Sequence, residues 1–157
     1  MNLKQGLVAT MAISIVMASP ISSAKNINSY NDLVETLKQG NNAYAVFDFN
    51  KCQLTADSNG PANMNPRGVN VVDLVINDTH NYAGKAMKTV AVDAHGFYGN
   101  KTFIIYRSLY RFMEDNTVEV LDDSIDPATY KLQDRAWFVC RMTADNSGGV
   151  TILEKKK

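Results

Sequence analysis

This chain of 157 residues has two cysteines, Cys52 and Cys140, whose side chains could act as a nucleophile or form a disulfide. A catalytic thiol would need a neighbouring base and a free thiolate, and a disulfide with the only other cysteine would remove that thiolate. In an oxidising compartment an even number of cysteines most simply forms disulfides. We therefore predict a bridge that closes a loop of nearly ninety residues and ties the first core strand to the next-to-last one. Trp137, three residues before Cys140, is expected to pack near it.

The two histidines raise the question of a metal site. His80 and His95 each follow an aspartate by two residues, Asp78 and Asp93 respectively. At strand spacing each pair shares one face of a sheet, as metal ligands would. A hairpin turning near residues 81–85 would nevertheless place the two histidines roughly 30 Å apart. We therefore predict no shared metal site and no cofactor.

Paired carboxylates are a second possible source of catalysis. Four acidic residues fall within predicted strands: Asp48, Asp73, Asp93 and Glu119. No local spacing selects two of them, and strand carboxylates more often face water. The sequence also has no nucleophile elbow, phosphate-binding glycine loop or zinc-protease helix motif. We therefore assign no catalytic residues and predict that the protein is not an enzyme.

A long polar segment, Gln53 to Gly68, is the first candidate for binding. It is longer than the roughly 12–15 residues that usually bound a structureless connection in a compact domain. Its candidate contact residues are Asn63, Met64, Asn65 and Arg67. We predict that this loop and the neighbouring rim of the sheet bind a partner. The alternative is a mobile surface excursion without a function.

An aromatic and basic strand is the second candidate. Tyr106, Arg107 and Tyr110 lie close together in the sequence, with Arg111 beside them. Such side chains can stack on a sugar, a peptide or a nucleic-acid base. Amphipathic side chains of this kind can equally bridge the core and the rim of a domain.

The N-terminus predicts export. Met1 to Gly6 carries one positive charge, Lys4, and an apolar run follows over residues 7–17. That run is shorter than the roughly 20 residues of a membrane span and has the usual length of a signal-peptide core. Small residues predict cleavage after Ala24. The product would be a single domain, residues 25–157, in the periplasm or secreted, without a membrane anchor.

Composition limits the class of partner. Hydrophobic residues make up 45% of the chain, charged residues 20%, and the formal net charge is zero. These values are ordinary for a globular domain. The absence of net positive charge argues against binding nucleic acid. We expect an unknown protein or small-molecule partner and a monomeric chain.

Hydrophobic periodicity then supplies the elements that would position these residues. Ser29 to Gly40 predicts a helix, because its apolar residues recur at helical spacing, Ser29 can cap its start and Gly40 can end it. Short runs of branched and aromatic residues predict strands at 44–49, 69–76, 89–93, 102–112, 117–121, 136–142 and 150–153. The predicted fold class is α+β, with one N-terminal helix packed on a curved, mostly antiparallel β-sheet.

Several short motifs, in order along the chain, resemble the bacterial VirK family. Residues 29–40 followed by 46–52 resemble its opening, a helix ending in glycine and then a strand ending at a cysteine. The later motifs are Asp93-Ala94-His95, Ile105-Tyr106-Arg107 and Phe138-Val139-Cys140. A glycine pair follows the late cysteine, as Gly148-Gly149, whereas Arg67-Gly68 stands where the family usually has another.

The resemblance implies a small exported accessory protein of bacteria linked to virulence and host interaction. It implies no established activity and supplies no catalytic residues. Our leading hypothesis is therefore an exported accessory or binding protein. The alternatives are a carrier for a small apolar ligand inside the sheet, an enzyme inhibitor acting through the loop after Cys52, and a small hydrolase using strand carboxylates.

Overall fold

A computed structural model describes residues 24–60, 64–71, 75–98 and 104–155. The predicted signal peptide up to residue 23, together with Asn63 and Asp73, lies outside the described residues. The elements in chain order are β1 (Asn26–Ile27), α1 (Tyr30–Lys38), β2 (Asn42–Phe47), a 3₁₀ turn (Phe49–Lys51), β3 (Gln53–Leu54), β4 (Arg67–Val71), β5 (Val75–Tyr82), β6 (Lys85–Tyr98), β7 (Ile104–Met113), β8 (Thr117–Ile125), β9 (Leu132–Met142) and β10 (Gly149–Lys155).

The strands form one open sheet of ten strands, whose main path runs β4-β2-β10-β9-β8-β7-β6-β5. Strand β1 pairs with β10, and β3 pairs with β9. The paired strands are antiparallel apart from the short parallel contact between β10 and β9. The fold is therefore largely β, and the predicted α+β class overstates the share of helix. Strand β6 alone covers 14 residues, well beyond the predicted 89–93.

The single helix of the described residues begins and ends close to the predicted positions. The Ser29 hydroxyl accepts a hydrogen bond from the Asp32 backbone N–H at 3.2 Å, which caps the first turn. Tyr30, Leu33 and Leu37 are buried along one face, as their spacing predicts. The helix thus adds one apolar stripe to a core that the strands build.

Aromatic contacts show that the sheet folds over on itself. The Phe47 ring on β2 lies 5.0 Å from the Tyr110 ring and 6.3 Å from the Phe112 ring on β7, between centroids. Because β2 and β7 are four positions apart in the strand order, a flat sheet could not bring these rings together. Phe49 packs on Phe138 of β9 at 4.8 Å. The core therefore lies between the two halves of the sheet.

The two halves meet at a narrow seam between β10 and β9. Only Gly149 and Val150 pair there with β9, in parallel. The disulfide between Cys52 and Cys140 lies at this seam, with Cα atoms 4.5 Å apart, so the predicted bridge is confirmed. Trp137 does not pack as expected: it is three residues from Cys140 on β9, and an odd spacing places the two side chains on opposite faces.

Gly149 is the residue that allows β10 to approach the bridge. It has a φ of +86°, and a Cβ there would lie 2.7 Å from the Cys52 sulfur. Gly40 has a similar φ of +77°, but nothing lies within 4 Å of its missing Cβ. A side chain at either position would therefore strain the backbone, but only a side chain at position 149 would also overlap with the bridge.

We predict that Gly149→Ala destabilises the protein more than Gly40→Ala. The left-handed backbone alone costs alanine about 1–2 kcal/mol, and overpacking against the bridge adds about 1–3 kcal/mol at position 149. Urea denaturation of the oxidised proteins measures the difference. Equal losses at the two positions would contradict close packing at the seam.

Candidate functional site

Arg67, the first residue of β4, reaches across the fold to β7 and β8. Its Nη1 donates to Asp122 Oδ1 at 2.8 Å, to Ser108 Oγ at 2.9 Å and to the Tyr110 hydroxyl at 3.3 Å. Its Nη2 lies 2.8 Å from Asp122 Oδ2, so the pair makes two contacts. The Ser108 hydroxyl also donates to Asp122. The guanidinium is thereby held in one orientation.

The surroundings of Arg67 favour its charge. Burial alone would lower its pKa, but the hydrogen bonds and charge of Asp122 outweigh burial, and the pKa lies above its usual range. The guanidinium carbon also lies 5.8 Å from the centre of the Phe49 ring. Arg67 thus connects the aromatic core to a polar rim.

A small surface cleft of about 130 Å³ opens beside this network, and we call it the Arg67 cleft. Its lining residues are Met64, Arg67, Tyr106, Asp122, Asp123, Ser124, Asp134 and Ala136. Tyr106 forms an exposed aromatic wall, with 42% of its surface accessible. Met64 is partly buried and packs against the hydrophobic core. The cleft therefore combines apolar walls with a fixed polar floor.

Negative charge prevails among the residues that line the Arg67 cleft. Two carboxylates, Asp122 and Asp134, lie on the face of the sheet that carries Tyr106, against the single cation of Arg67, whereas alternation places the Asp123 side chain on the opposite face. Asp122 is bound by Arg67, and Asp123 by Arg135 on the neighbouring strand at 2.6 Å. Asp134 accepts a hydrogen bond from the Ser124 hydroxyl at 3.3 Å. The cleft would therefore attract a basic group.

Sequence reasoning placed binding at two separate segments, and the structure brings parts of both together. Met64 and Arg67 from the predicted loop lie in the same cleft as Tyr106 from the predicted strand. Tyr110 is only 1% exposed, so it bridges core and rim, as the alternative interpretation expects. Asn65 is exposed and does not line the cleft.

Arg107 lies on the opposite face from Tyr106, because neighbouring strand residues alternate. Its Nη2 lies 2.9 Å from Asp93 Oδ2. Burial alone would raise the pKa of Asp93, but hydrogen bonds from Arg107 and His95 outweigh it and lower that pKa. Arg107 therefore forms a surface ion pair away from the Arg67 cleft.

The predicted loop is partly a strand and is held along β9. Gln53 and Leu54 form β3, and the N–H groups of Asn59 and Gly60 donate to the Arg135 carbonyl at 3.0 and 2.8 Å. The Asn59 side chain accepts from the Arg135 N–H at 2.7 Å. The segment thus supplies hydrogen-bond partners for the backbone groups along the edge of β9 that β10 leaves unpaired. It is long because it follows this edge.

The two histidines lie far apart along the β5–β6 hairpin. The turn at Ala83 and Gly84 falls within the predicted hairpin, and the register places His80 opposite Met87, eight residues before His95 on β6. That spacing corresponds to about 26 Å along a strand. No group of three or more potential metal ligands occurs in the part of the chain that the structure describes.

The strand carboxylates have three different roles. Asp48 lies outside the strands and caps the 3₁₀ turn. Asp93 pairs with Arg107 at the surface. Glu119 is only 1% exposed and contacts Arg111 at 2.6 Å and His80 at 3.3 Å. Sequence reasoning missed the burial of this charge. The signal was that Arg111 and Glu119 lie at similar distances from the short connection between the predicted strands 102–112 and 117–121, so that an antiparallel hairpin places them opposite each other.

The architecture defines a class of protein: an open β-sheet domain with one disulfide at its seam and a small polar cleft beside Arg67. Across the described residues no helix is long and apolar enough to cross a membrane. The family model described as "VirK protein" matches residues 26–130, and the chain belongs to the VirK family. The predicted resemblance is therefore confirmed.

A solved structure supports the same fold. The chain is similar to a VirK family protein from Legionella pneumophila, with a TM-score of 0.56 and 12% sequence identity. The alignment covers 81% of this chain and 97% of that one. The sequence has no significant match among the curated proteins.

We predict that Arg67 and Asp122 stabilise the fold as a coupled pair. Arg67→Met removes the cation from an Asp122 side chain that is 10% exposed, and should cost about 1–3 kcal/mol because Arg67 itself remains partly exposed. Asp122→Asn should also destabilise. The double variant should lose less than the sum of the two, because neither charge is then left unpaired. Additive losses in urea denaturation would contradict the coupling.

Proposed function

We propose that this VirK family member is an exported accessory protein that binds a partner polypeptide in the Arg67 cleft and catalyses no reaction. The observation that carries this proposal is an exposed aromatic, Tyr106, beside a polar network that is already fixed in place. A rigid site loses little conformational entropy on binding. Exposed tyrosines beside such sites are frequent anchors of protein interfaces.

The lining of the cleft indicates the chemistry of the partner. A volume of about 130 Å³ accepts a single side chain rather than a whole small molecule. Met64, Ala136 and Tyr106 provide apolar contact, and the two carboxylates on this face, Asp122 and Asp134, outnumber Arg67. We therefore expect the partner to present a lysine or arginine, whose apolar stem contacts the walls while its charge faces Asp134.

Two features support export and a role in host interaction. A disulfide persists in oxidising compartments, which agrees with the predicted signal peptide and cleavage after Ala24. Membership of the VirK family supports a bacterial accessory role linked to virulence. We infer a periplasmic or secreted location for residues 25–157.

The alternative functions are less well supported by this geometry. A hydrolase would need a pair of carboxylates free to act on a substrate, whereas Asp122 and Asp123 are held in ion pairs by Arg67 and Arg135. An apolar-ligand carrier would need space between the halves of the sheet, where the rings of Phe47, Phe112 and Phe138 lie. An enzyme inhibitor remains a special case of the proposal, with an enzyme as the partner.

Site-specific photo-crosslinking tests the proposed interface. A benzophenone amino acid replaces Tyr106 in one variant and Tyr130, an exposed tyrosine in the turn before β9, in the control. We expect a defined crosslinked polypeptide from position 106 only. Binding of that polypeptide, measured by calorimetry, should weaken about tenfold or more for Tyr106→Ala and stay unchanged for Tyr130→Ala.

Charge provides the second arm of the same test. Asp134→Asn should weaken binding of the captured polypeptide, and added salt should weaken binding to the wild-type protein more than to this variant. Equal crosslinking at positions 106 and 130, or equal affinity of the Tyr106→Ala protein, would contradict the proposal.

A further inference from the structure

A second cleft opens on the face of the sheet that the aromatic core does not use. It measures about 440 Å³, and Trp137 of β9 lies on its floor together with Leu121 of β8. Thr55 and Asp57, from the segment after β3, form one wall, and the tip of the β5–β6 hairpin forms the other. We call it the Trp137 cleft. Its volume falls within the usual range of small-molecule sites, about 300–1,000 Å³.

Two polar groups in this cleft have no protein partner. The Trp137 indole N–H and the Thr55 hydroxyl are both buried and form no hydrogen bond within the described residues. They are neighbours, because the Thr55 backbone N–H donates to the Trp137 carbonyl at 2.9 Å across the strand pair. A buried polar group left without a partner costs about 1–3 kcal/mol. Both atoms are covered in the unliganded structure, so a ligand hydroxyl would reach them, accepting from the indole and bonding to the threonine, after a small shift of the side chains above them.

The charges that line the Trp137 cleft cancel. Two arginines, Arg111 and Arg135, stand against two carboxylates, Asp57 and Glu119. Arg111 contacts Glu119 at 2.6 Å, and Arg135 contacts Asp123 at 2.6 Å. The cleft therefore offers many polar atoms without the excess of one sign that would favour an ion.

The hairpin tip is held over the cleft by a contact between the half-buried His80 and the buried Glu119. His80 Nε2 lies 3.3 Å from Glu119 Oε2, although their strands, β5 and β8, are three positions apart in the sheet. The hairpin must therefore curl over this face. Tyr82 follows on the same tip and also lines the cleft, so aromatic side chains stand on both the floor and the wall.

We infer that the Trp137 cleft binds an uncharged saccharide. A pyranose ring has an apolar face that can lie against an aromatic side chain, and a rim of hydroxyls that both donate and accept hydrogen bonds. The cleft supplies Trp137 and Tyr82 for the first, and the unpartnered Trp137 and Thr55 groups for the second. The ligand class differs from the basic polypeptide proposed for the Arg67 cleft, and this inference does not rest on that proposal.

The fluorescence of Trp137 provides a direct assay, because it is the only tryptophan in the chain. The probes are trisaccharides of glucose, galactose, mannose and N-acetylglucosamine, with sialyllactose and trigalacturonic acid as charged comparisons. We expect at least one neutral trisaccharide to give a saturable change in emission. No response to any neutral probe at millimolar concentration, or a response to charged probes alone, would overturn the inference.

Thr55→Val separates a binding role from a structural one. It removes an unpartnered hydroxyl and keeps the shape, so the thermal midpoint should stay unchanged or rise. Binding of the neutral trisaccharide should nevertheless weaken about fivefold. Thr151→Val, on β10 and outside the cleft, is the matched control and should bind like the wild type. Unchanged affinity in Thr55→Val would also overturn the inference, whereas Tyr106→Ala should leave saccharide binding intact whatever its effect on the polypeptide.

Discussion

The bond between Cys52 and Cys140 is the constraint on which the rest of the fold depends. It lies at the seam between β10 and β9, where only two residue pairs join the halves of the sheet. A link over a sequence separation of 88 contributes up to about 4–5 kcal/mol by limiting the unfolded chain. Gly149 is required there because no side chain fits between its backbone and the Cys52 sulfur. The covalent bond thus replaces ladder hydrogen bonds that the short parallel contact cannot supply.

The seam also determines where the clefts form. Immediately after Cys52, the chain follows β9 as β3 and then as residues 55–60, which satisfy its open edge. This segment places Thr55 on one face of the sheet, and the chain then returns with Met64 and Arg67 on the other. The two clefts are therefore built by one segment that is held at its start by the disulfide. Their different charge balance explains why we assign them different ligands.

The sequence predicted local features well and long-range ones poorly. The helix and the hairpin turn follow from spacing, capping and residue type, all of which act over a few residues. The bridge is a long-range contact that could be predicted because the chain has only two cysteines. The grouping of Met64 with Tyr106 depends on the fold of the sheet, which no local pattern encodes. Trp137 was placed on the wrong face because its proximity to Cys140 in sequence was given more weight than strand alternation. The burial of Glu119 was missed because it depends on a hairpin that curls over from three strands away.

Amide hydrogen exchange of the oxidised and the reduced protein tests the central claim most directly. If the disulfide holds the seam, reduction under native conditions should speed exchange in β3, in residues 55–60 and in β4, while β6 to β8 keep their protection. The reason is that β3 and residues 55–60 are held against β9 directly after Cys52, and β4 belongs to the half of the sheet that joins β9 only at the seam. Strands β6 to β8, in contrast, pair with each other along their length. Equal protection in both redox states, or a uniform loss across the whole sheet, would contradict the account.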